Sequence, residues 1–294
     1  MKNFMIGMFD KVDYGKYSRD FREEFYGIQA ATFEDEAELR KLRELIDEKK
    51  IGIHFPIVPE PLKCRDPLFL SPDAGDREAS YRAFENELAI AARYDADYLL
   101  AHFPKPALLD RNADWSNWRF ANAHEWMWEE EYPFETFARS CEEMFGRLSE
   151  LQEKHRVKII LEHDAINKYL YEGTLLVDLL EKYNNIKLCL DTGRLHLQDK
   201  IDPSFDSFKF VEQYARYTYL VHLWDVKVSN SLEGGHHPVL PGHKVEEGWA
   251  DTARYMDIIS AANKDVKIMF EHRSDLISDD QLQSCYEWIG SFFT

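Results

Sequence analysis

Eight short β-rich runs, each followed by a segment of helical period, recur along the chain and leave few folds open. The runs are Asn3–Met8, Tyr26–Ala30, Ile51–Ile57, Asp97–Phe103, Val157–Glu162, Ile186–Asp191, Thr218–Leu223 and Val266–Glu271. Between them, apolar residues return at steps of three or four: Leu39, Leu42, Leu45 and Ile46; Tyr81, Phe84, Leu88 and Ala91; and the row from Phe134 through Phe137, Cys141, Met144, Phe145 and Leu148 to Leu151. The last helix is announced by Ser278-Asp-Asp-Gln281, a capping-box pattern, ahead of Leu282, Cys285, Tyr286 and Ile289. Strict alternation of strand and helix implies parallel pairing through right-handed crossovers. Runs as apolar as KIILE and KLCLD belong to strands covered on both faces. An open doubly wound sheet and a closed barrel both meet these conditions. The count of eight favours the barrel, and no G-x-G-x-x-G follows any run. The expected fold is therefore α/β, a (β/α)8 TIM barrel. Residues 1–294 read as a single domain, with no Pro/Gly/Ser linker, low-complexity tract or internal repeat.

The length of 294 residues suits one such barrel, and 45% hydrophobic with 31% charged residues is a globular balance. Thirty-six basic against 54 acidic side chains give a net charge of −18, which repels phosphate backbones and argues against nucleic acid as a partner. No apolar stretch approaches the roughly 20 residues that span a bilayer, so no membrane partner is expected. The opening MKNFMIGMFDKVD turns charged too early for a secretory signal. Cys64, Cys141, Cys189 and Cys285 lie far apart, without a C-x-x-C pair, and read as reduced packing residues of a cytoplasmic protein.

Three strand-to-helix connections carry long insertions, Phe55–Gly75, Phe103–Tyr132 and Trp224–Gly248. All follow strand C-termini, the face on which barrel enzymes keep their sites. The second holds Trp115, Trp118, Trp126 and Trp128, which suit either a wall over a sugar ring or a loop packed on itself.

The last four runs close on ligand-type residues: Glu162, Asp191, His222 and Glu271. Side chains alternate along a strand, so steps of two stay on one face. From Glu162 they reach Ile160 and Lys158; from Asp191, Cys189 and Lys187; from His222, Leu220 and Thr218; from Glu271, Met269 and Lys267. The series is polar at the lower rim, apolar in the middle and ligand-type at the upper rim. Neighbouring strands are about 4.8 Å apart, so four such ends can share one ion. Three carboxylates with one imidazole suit a divalent Mn, Mg, Co or Zn ion. A strand-ending acid standing alone is more often a helix cap or half of an ion pair. His54 in IGIHFPI and His102 in LLAHFPK stand at equivalent ends, as substrate contacts or as ligands of a second ion. Gln29 ends the second run and is a further candidate substrate contact.

At these positions the chain resembles the xylose isomerase-like TIM-barrel superfamily, which includes sugar and sugar-phosphate isomerases and epimerases and endonuclease IV-type enzymes. The carriers are ILEHD with Glu162, LCLDTGRLH with Asp191, VHLWD with His222 and Asp225, IMFEH with Glu271, and HHPVLPGH from His236 to His243. In the ketose 3-epimerase-like branch, the resemblance implies one metal ion on Glu162, Asp191, His222 and Glu271, the two glutamates doubling as acid and base on opposite faces of the sugar. Proton transfer would pass through a metal-stabilised enediolate. His54, His102, Arg194, Asp225 and His237 are candidate substrate-binding residues, with Asp225 alternatively supporting its neighbours and Arg194 alternatively half of a rim ion pair. Two departures stand out: the family's D-x-x-H has Arg194 at its last position, with His196 displaced by two, and Lys227 stands where some epimerases carry another basic residue.

The leading expectation is an isomerase-class enzyme with a small carbohydrate substrate, a divalent cofactor and a tendency toward homo-oligomers. An endonuclease IV-like metallo-phosphodiesterase would use the ion-binding histidines but conflicts with the acidic charge. A non-catalytic metabolite-binding barrel would show stabilisation by ligand without turnover.

Overall fold

The computed structural model describes residues 1–8, 12–33, 35–57, 65–229 and 232–294. Twelve strands are found among them: β1 (Phe4–Gly7), β2 (Gly27–Ala30), β3 (Lys50–His54), β4 (Tyr98–Phe103), β5 (Ala107–Leu109), β6 (Trp126–Trp128), β7 (Lys158–His163), β8 (Lys187–Asp191), β9 (Thr218–Leu223), β10 (Asp225–Val228), β11 (Leu232–His237) and β12 (Lys267–Phe270). Eight form a closed barrel in the order β1-β2-β3-β4-β7-β8-β9-β12, surrounded by helices. Every one of the eight expected runs contains or overlaps one of these strands, as an α/β (β/α)8 barrel requires.

Two compact units make up the chain: Met1–Met8 with Asp13–Gln29 and Cys189–Thr294, and Phe9–Val12 with Ala30–Leu188. In the first, β1 pairs in parallel with β2 and β12, and β12 pairs with β9 in a register that sets Met269 opposite His222. In the second, β3, β4 and β7 pair in parallel, and His102 lies directly opposite Glu162. The middle residues of the alternating series, Ile160, Cys189, Leu220 and Met269, are fully buried, whereas Lys158, Lys187 and Lys267 earlier in the same strands are half-buried. Within the second unit the Tyr98 ring lies on the backbone of β3. A Cβ on Gly52 would come 1.9 Å from the Tyr98 Cζ, so only glycine fits that contact.

The outer helices bury the faces their periodicity marks. Leu39, Leu42 and Ile46 are buried, as are Tyr81, Phe84, Leu88 and Ala91, and the Ser278–Gln281 capping box forms ahead of the helix Asp279–Ser291. Two members of the apolar rows fall off those faces: Leu45 is 42% and Phe134 is 44% exposed. Leu45 sits six residues after Leu39, which turns it well away from the buried stripe. Phe134 is the first residue of its helix and meets the edge of Tyr169.

The long insertions carry small two-stranded sheets of their own, with strands of three to six residues. β5 and β6 pair in parallel in the second insertion, and β10 and β11 pair antiparallel in the third. The tryptophans of the second insertion pack on one another, Trp115 edge-on to Trp118 at 5.5 Å and Trp126 edge-on to Trp128 at 5.0 Å. Cys141, Cys189 and Cys285 are buried thiols; Cys64 falls outside the described residues. No helix among the described residues is long and apolar enough to cross a membrane.

Candidate metal and substrate site

In the first unit, Asp191, His222 and Glu271 offer ligand atoms that lie within 4.8 Å of one another. Asp191 ends β8 and also caps the helix Thr192–Ile201: its Oδ1 accepts from the Arg194 backbone N–H at 2.9 Å and its Oδ2 from Arg194 Nε at 3.2 Å. The arginine that replaces the family histidine is thus an ion-pair partner of the aspartate three residues before it. His222, fully buried on β9, has Nε2 3.0 Å from Gln29 Oε1. An amide oxygen only accepts, so Nε2 carries a proton; in the neutral ring the lone pair is then on Nδ1, which lies 3.4 Å from Glu271 Oε2. Gln29 therefore orients an imidazole, a supporting part that its place at a strand end did not reveal. Glu271 follows β12, and its backbone N–H donates to the Leu223 carbonyl at 3.1 Å, which prolongs the strand pairing through the residue.

The loop beyond these residues is pinned by stacked rings. His236 lies at a φ of +56°, with Nδ1 3.0 Å from the Glu271 carbonyl oxygen and its ring 4.2 Å above Trp224. Trp224 in turn rests on Gly193, where a Cβ would come 2.3 Å from the indole Cε2. Asp225, 1% exposed, accepts from the Val226 and Ala250 backbone N–H groups at 2.8 and 3.1 Å and from His243 Nδ1 at 2.7 Å. His243 stacks on Trp249 at 3.9 Å, and half-buried His237 donates from Nδ1 to the Pro238 carbonyl at 2.8 Å. His196 faces the Gly248 carbonyl at 3.0 Å; burial lowers its pKa against the opposing pull of that carbonyl. Lys227 is half-buried on β10.

In the second unit, His54, His102 and Glu162 form a buried group whose ligand atoms also lie within 4.8 Å of one another. Glu162 Oε2 is 3.4 Å from His54 Nε2 and 3.6 Å from His102 Nε2, and the two rings meet edge-on at 4.8 Å. His54 donates from Nδ1 to the Phe55 carbonyl at 2.6 Å. Burial holds the His54 pKa below the usual imidazole range, with Glu162 opposing that shift.

A buried ionic network that strand-end reasoning missed stands behind His102. His102 Nδ1 is 2.7 Å from Asp66 Oδ1, and Asp66 Oδ2 is 3.1 Å from Lys105 Nζ. Lys105, only 2% exposed, also reaches Asp164 Oδ2 at 2.5 Å and Glu125 Oε2 at 3.5 Å. Asp164 Oδ1 accepts from Trp118 Nε1 at 2.8 Å and from the Ala165 backbone N–H at 2.9 Å. Burial pushes the Asp66 pKa up, but His102 and Lys105 outweigh it and hold the carboxyl well below the usual carboxylate range. Burial likewise opposes the Lys105 charge, and Asp164 and Asp66 override it, raising that pKa above the usual ammonium value.

Buried carboxylate–imidazole groups that could bind a metal ion therefore occur in both units. Among curated proteins, no sequence matches this chain. Solved structures do match. A D-tagatose 3-epimerase-like protein superposes with a TM-score of 0.64 at 15% identity, over 99% of this chain and 100% of its own. The 3-keto-D-glucoside 4-epimerase of E. coli gives 0.61 at 9% identity, over 99% and 100%. The IOLI protein with a zinc atom gives 0.59 at 13% identity, over 99% and 98%. At these identities the likeness is one of fold. The model of the xylose isomerase-like TIM barrel family matches residues 21–290. Those residues include Gln29, His54, His102, Glu162, Asp191, His222 and Glu271, and the chain belongs to the xylose isomerase-like TIM barrel family.

Proposed function

We propose that the protein is a metal-dependent isomerase or epimerase of a sugar or sugar phosphate, with Glu162, Asp191, His222 and Glu271 holding one divalent cation. The observation that carries this is the clustering of ligand-type ends within each unit: Asp191, His222 and Glu271 in one, and Glu162 with His54 and His102 in the other. Three carboxylates and one imidazole fit Mn, Mg, Co or Zn, because hard or borderline cations prefer oxygen with some nitrogen. When bound, such an ion supplies Lewis-acid polarisation of a substrate carbonyl.

The chain's own residues do the rest. One of Glu162 and Glu271 removes the proton from the carbon beside the carbonyl, giving an enediolate, and the other returns a proton. Return on the opposite face gives an epimer; return to the neighbouring carbon gives the aldose–ketose isomer. Gln29 keeps His222 in one tautomer, so that Nδ1 stays available as a ligand. His54, His102 and His237 bind substrate hydroxyls, and Arg194 serves an anionic substituent. Asp225 holds the loop that carries His237, through His243 and the backbone of Ala250.

A panel of ketoses and ketose phosphates with Mn²⁺ in deuterated water tests this. Deuterium should enter the product at the rearranged carbon, and Glu162→Gln and Glu271→Gln should each lower kcat by about 10²–10⁴. Full activity in both variants refutes the assignment.

One observation favours a second reading: His54, His102 and Glu162 group together as a two-ion enzyme would require. A phosphodiesterase built this way has to hold a polyanion against a net charge of −18. Metal counting separates the two, with one ion per chain for the sugar enzyme and three for the nuclease.

A further inference from the structure

We propose that Asp66 and Lys105 are positioning residues that fix the tautomer of His102, so that its Nε2 acts as a lone-pair acceptor for a substrate hydroxyl beside Glu162. The role in turnover rests on the sugar-enzyme reading above; the tautomer does not.

Asp66 is 4% exposed and has a strong donor at each oxygen. Its Oδ2 faces Lys105 Nζ at 3.1 Å and its Oδ1 faces His102 Nδ1 at 2.7 Å. An ammonium can only donate, so Lys105 keeps the carboxylate ionised, and an ionised carboxylate can only accept. His102 must therefore donate from Nδ1. In the neutral ring the lone pair then sits on Nε2, which faces Glu162 Oε2 at 3.6 Å. That separation exceeds the 2.7–3.2 Å of an ordinary N–H···O bond. His54 repeats the arrangement with a different partner. Its Nδ1 donates to the Phe55 carbonyl at 2.6 Å and its Nε2 stands 3.4 Å from the same glutamate oxygen. Two imidazoles thus turn the same nitrogen toward Glu162, each set from behind by a group that only accepts.

Lys105 does more than supply charge. It is tied to Asp164 at 2.5 Å, and Asp164 also accepts from Trp118 Nε1 at 2.8 Å. Asp66, which lies in the first long insertion, is thereby fastened to the second insertion and to the residue two places beyond Glu162. The arrangement follows the general pattern in which a carboxylate behind an imidazole fixes the ring's proton and its direction.

Asp66→Asn tests this because Lys105 dictates how the amide must turn. The asparagine carbonyl faces the ammonium, its NH₂ faces His102 Nδ1, and the imidazole proton must move to Nε2. The probe is long-range ¹H–¹⁵N NMR of histidine-labelled protein without added metal, with His102 identified by the signals lost in His102→Gln. The wild-type protein should show His102 protonated at Nδ1 and unprotonated at Nε2. Asp66→Asn should reverse this and lower kcat/KM for the ketose that turns over by tenfold or more, with the thermal transition still cooperative. A wild-type spectrum with a proton on His102 Nε2 overturns the proposal, and that spectrum decides the matter even if the variant aggregates. An unchanged tautomer in folded Asp66→Asn also overturns it. If the tautomer reverses but no ketose is turned over by the wild type, the positioning pair stands and the sugar-enzyme reading falls.

Discussion

Replacing Lys105 with methionine is expected to expose how strongly the buried network depends on a single ammonium. Lys105 lies 3.1 Å from Asp66, 2.5 Å from Asp164 and 3.5 Å from Glu125. At an effective dielectric constant of about 20, opposite unit charges at such distances attract by roughly 5 kcal/mol each. That gross sum is offset by desolvation of the lysine and by repulsion among the carboxylates. Breaking a buried ion pair from one side has a net effect of about 3–5 kcal/mol, which is the expected loss at pH 7. For a chain of this size that is on the order of 10 °C in Tm. The loss should depend on pH. Asp66 titrates well below its unfolded value in the wild type, so its contribution is present above an unfolded pKa of about 4 and lost as pH falls through the folded pKa. Lys105 titrates above its unfolded value of about 10.4, so its contribution is complete below that pH and lost only as pH rises through the folded pKa. Without the ammonium the carboxyls take up protons more readily. The gap between wild type and Lys105→Met should therefore hold between pH 7 and 5 and narrow as pH falls from about 4 toward 3, as Asp66 approaches its folded pKa. Urea unfolding followed by fluorescence of the seven tryptophans gives both stabilities at each pH. A loss below about 1 kcal/mol at neutral pH, or one still constant over that lower range, would refute the reasoning.

Gln29→Met removes the acceptor behind His222, and the affinity for Mn²⁺ measured by calorimetry should fall about 10–100-fold with little change in Tm. Gly52→Ala places a methyl carbon against the Tyr98 ring and should cost about 1–3 kcal/mol in urea unfolding, or yield insoluble protein. Leu45→Gln and Phe134→Gln, on the exposed side of their helices, should each stay within about 1 kcal/mol of wild type in the same assay.

What could be read from the sequence follows from the range of the interactions involved. A strand covered on both faces needs an unbroken apolar run, so all eight barrel strands were legible as local patterns, and the period of two pointed from Ile160 to Glu162 and from Leu220 to His222. The capping box at Ser278 was legible for the same reason, since both partners lie within four residues. Asp66, Glu125 and Lys105 were not, because they meet across two long insertions where spacing carries no periodic signal. Asp164 was hidden for another reason: it stands two places after Glu162 but faces Lys105 and Trp118, contacts that only the fold creates. Arg194 was legible as a departure from the family pattern, yet its pairing with Asp191 required the helix that Asp191 caps. Leu45 and Phe134 show the limit of counting threes and fours, which marks a helix face without locating its edges.

The most direct test of the proposed centre is anomalous diffraction from a crystal soaked in MnCl₂, collected at the manganese edge. The proposal requires one strong peak bounded by the side chains of Glu162, Asp191, His222 and Glu271. A peak held elsewhere, or none at a manganese concentration that supports turnover, would contradict it.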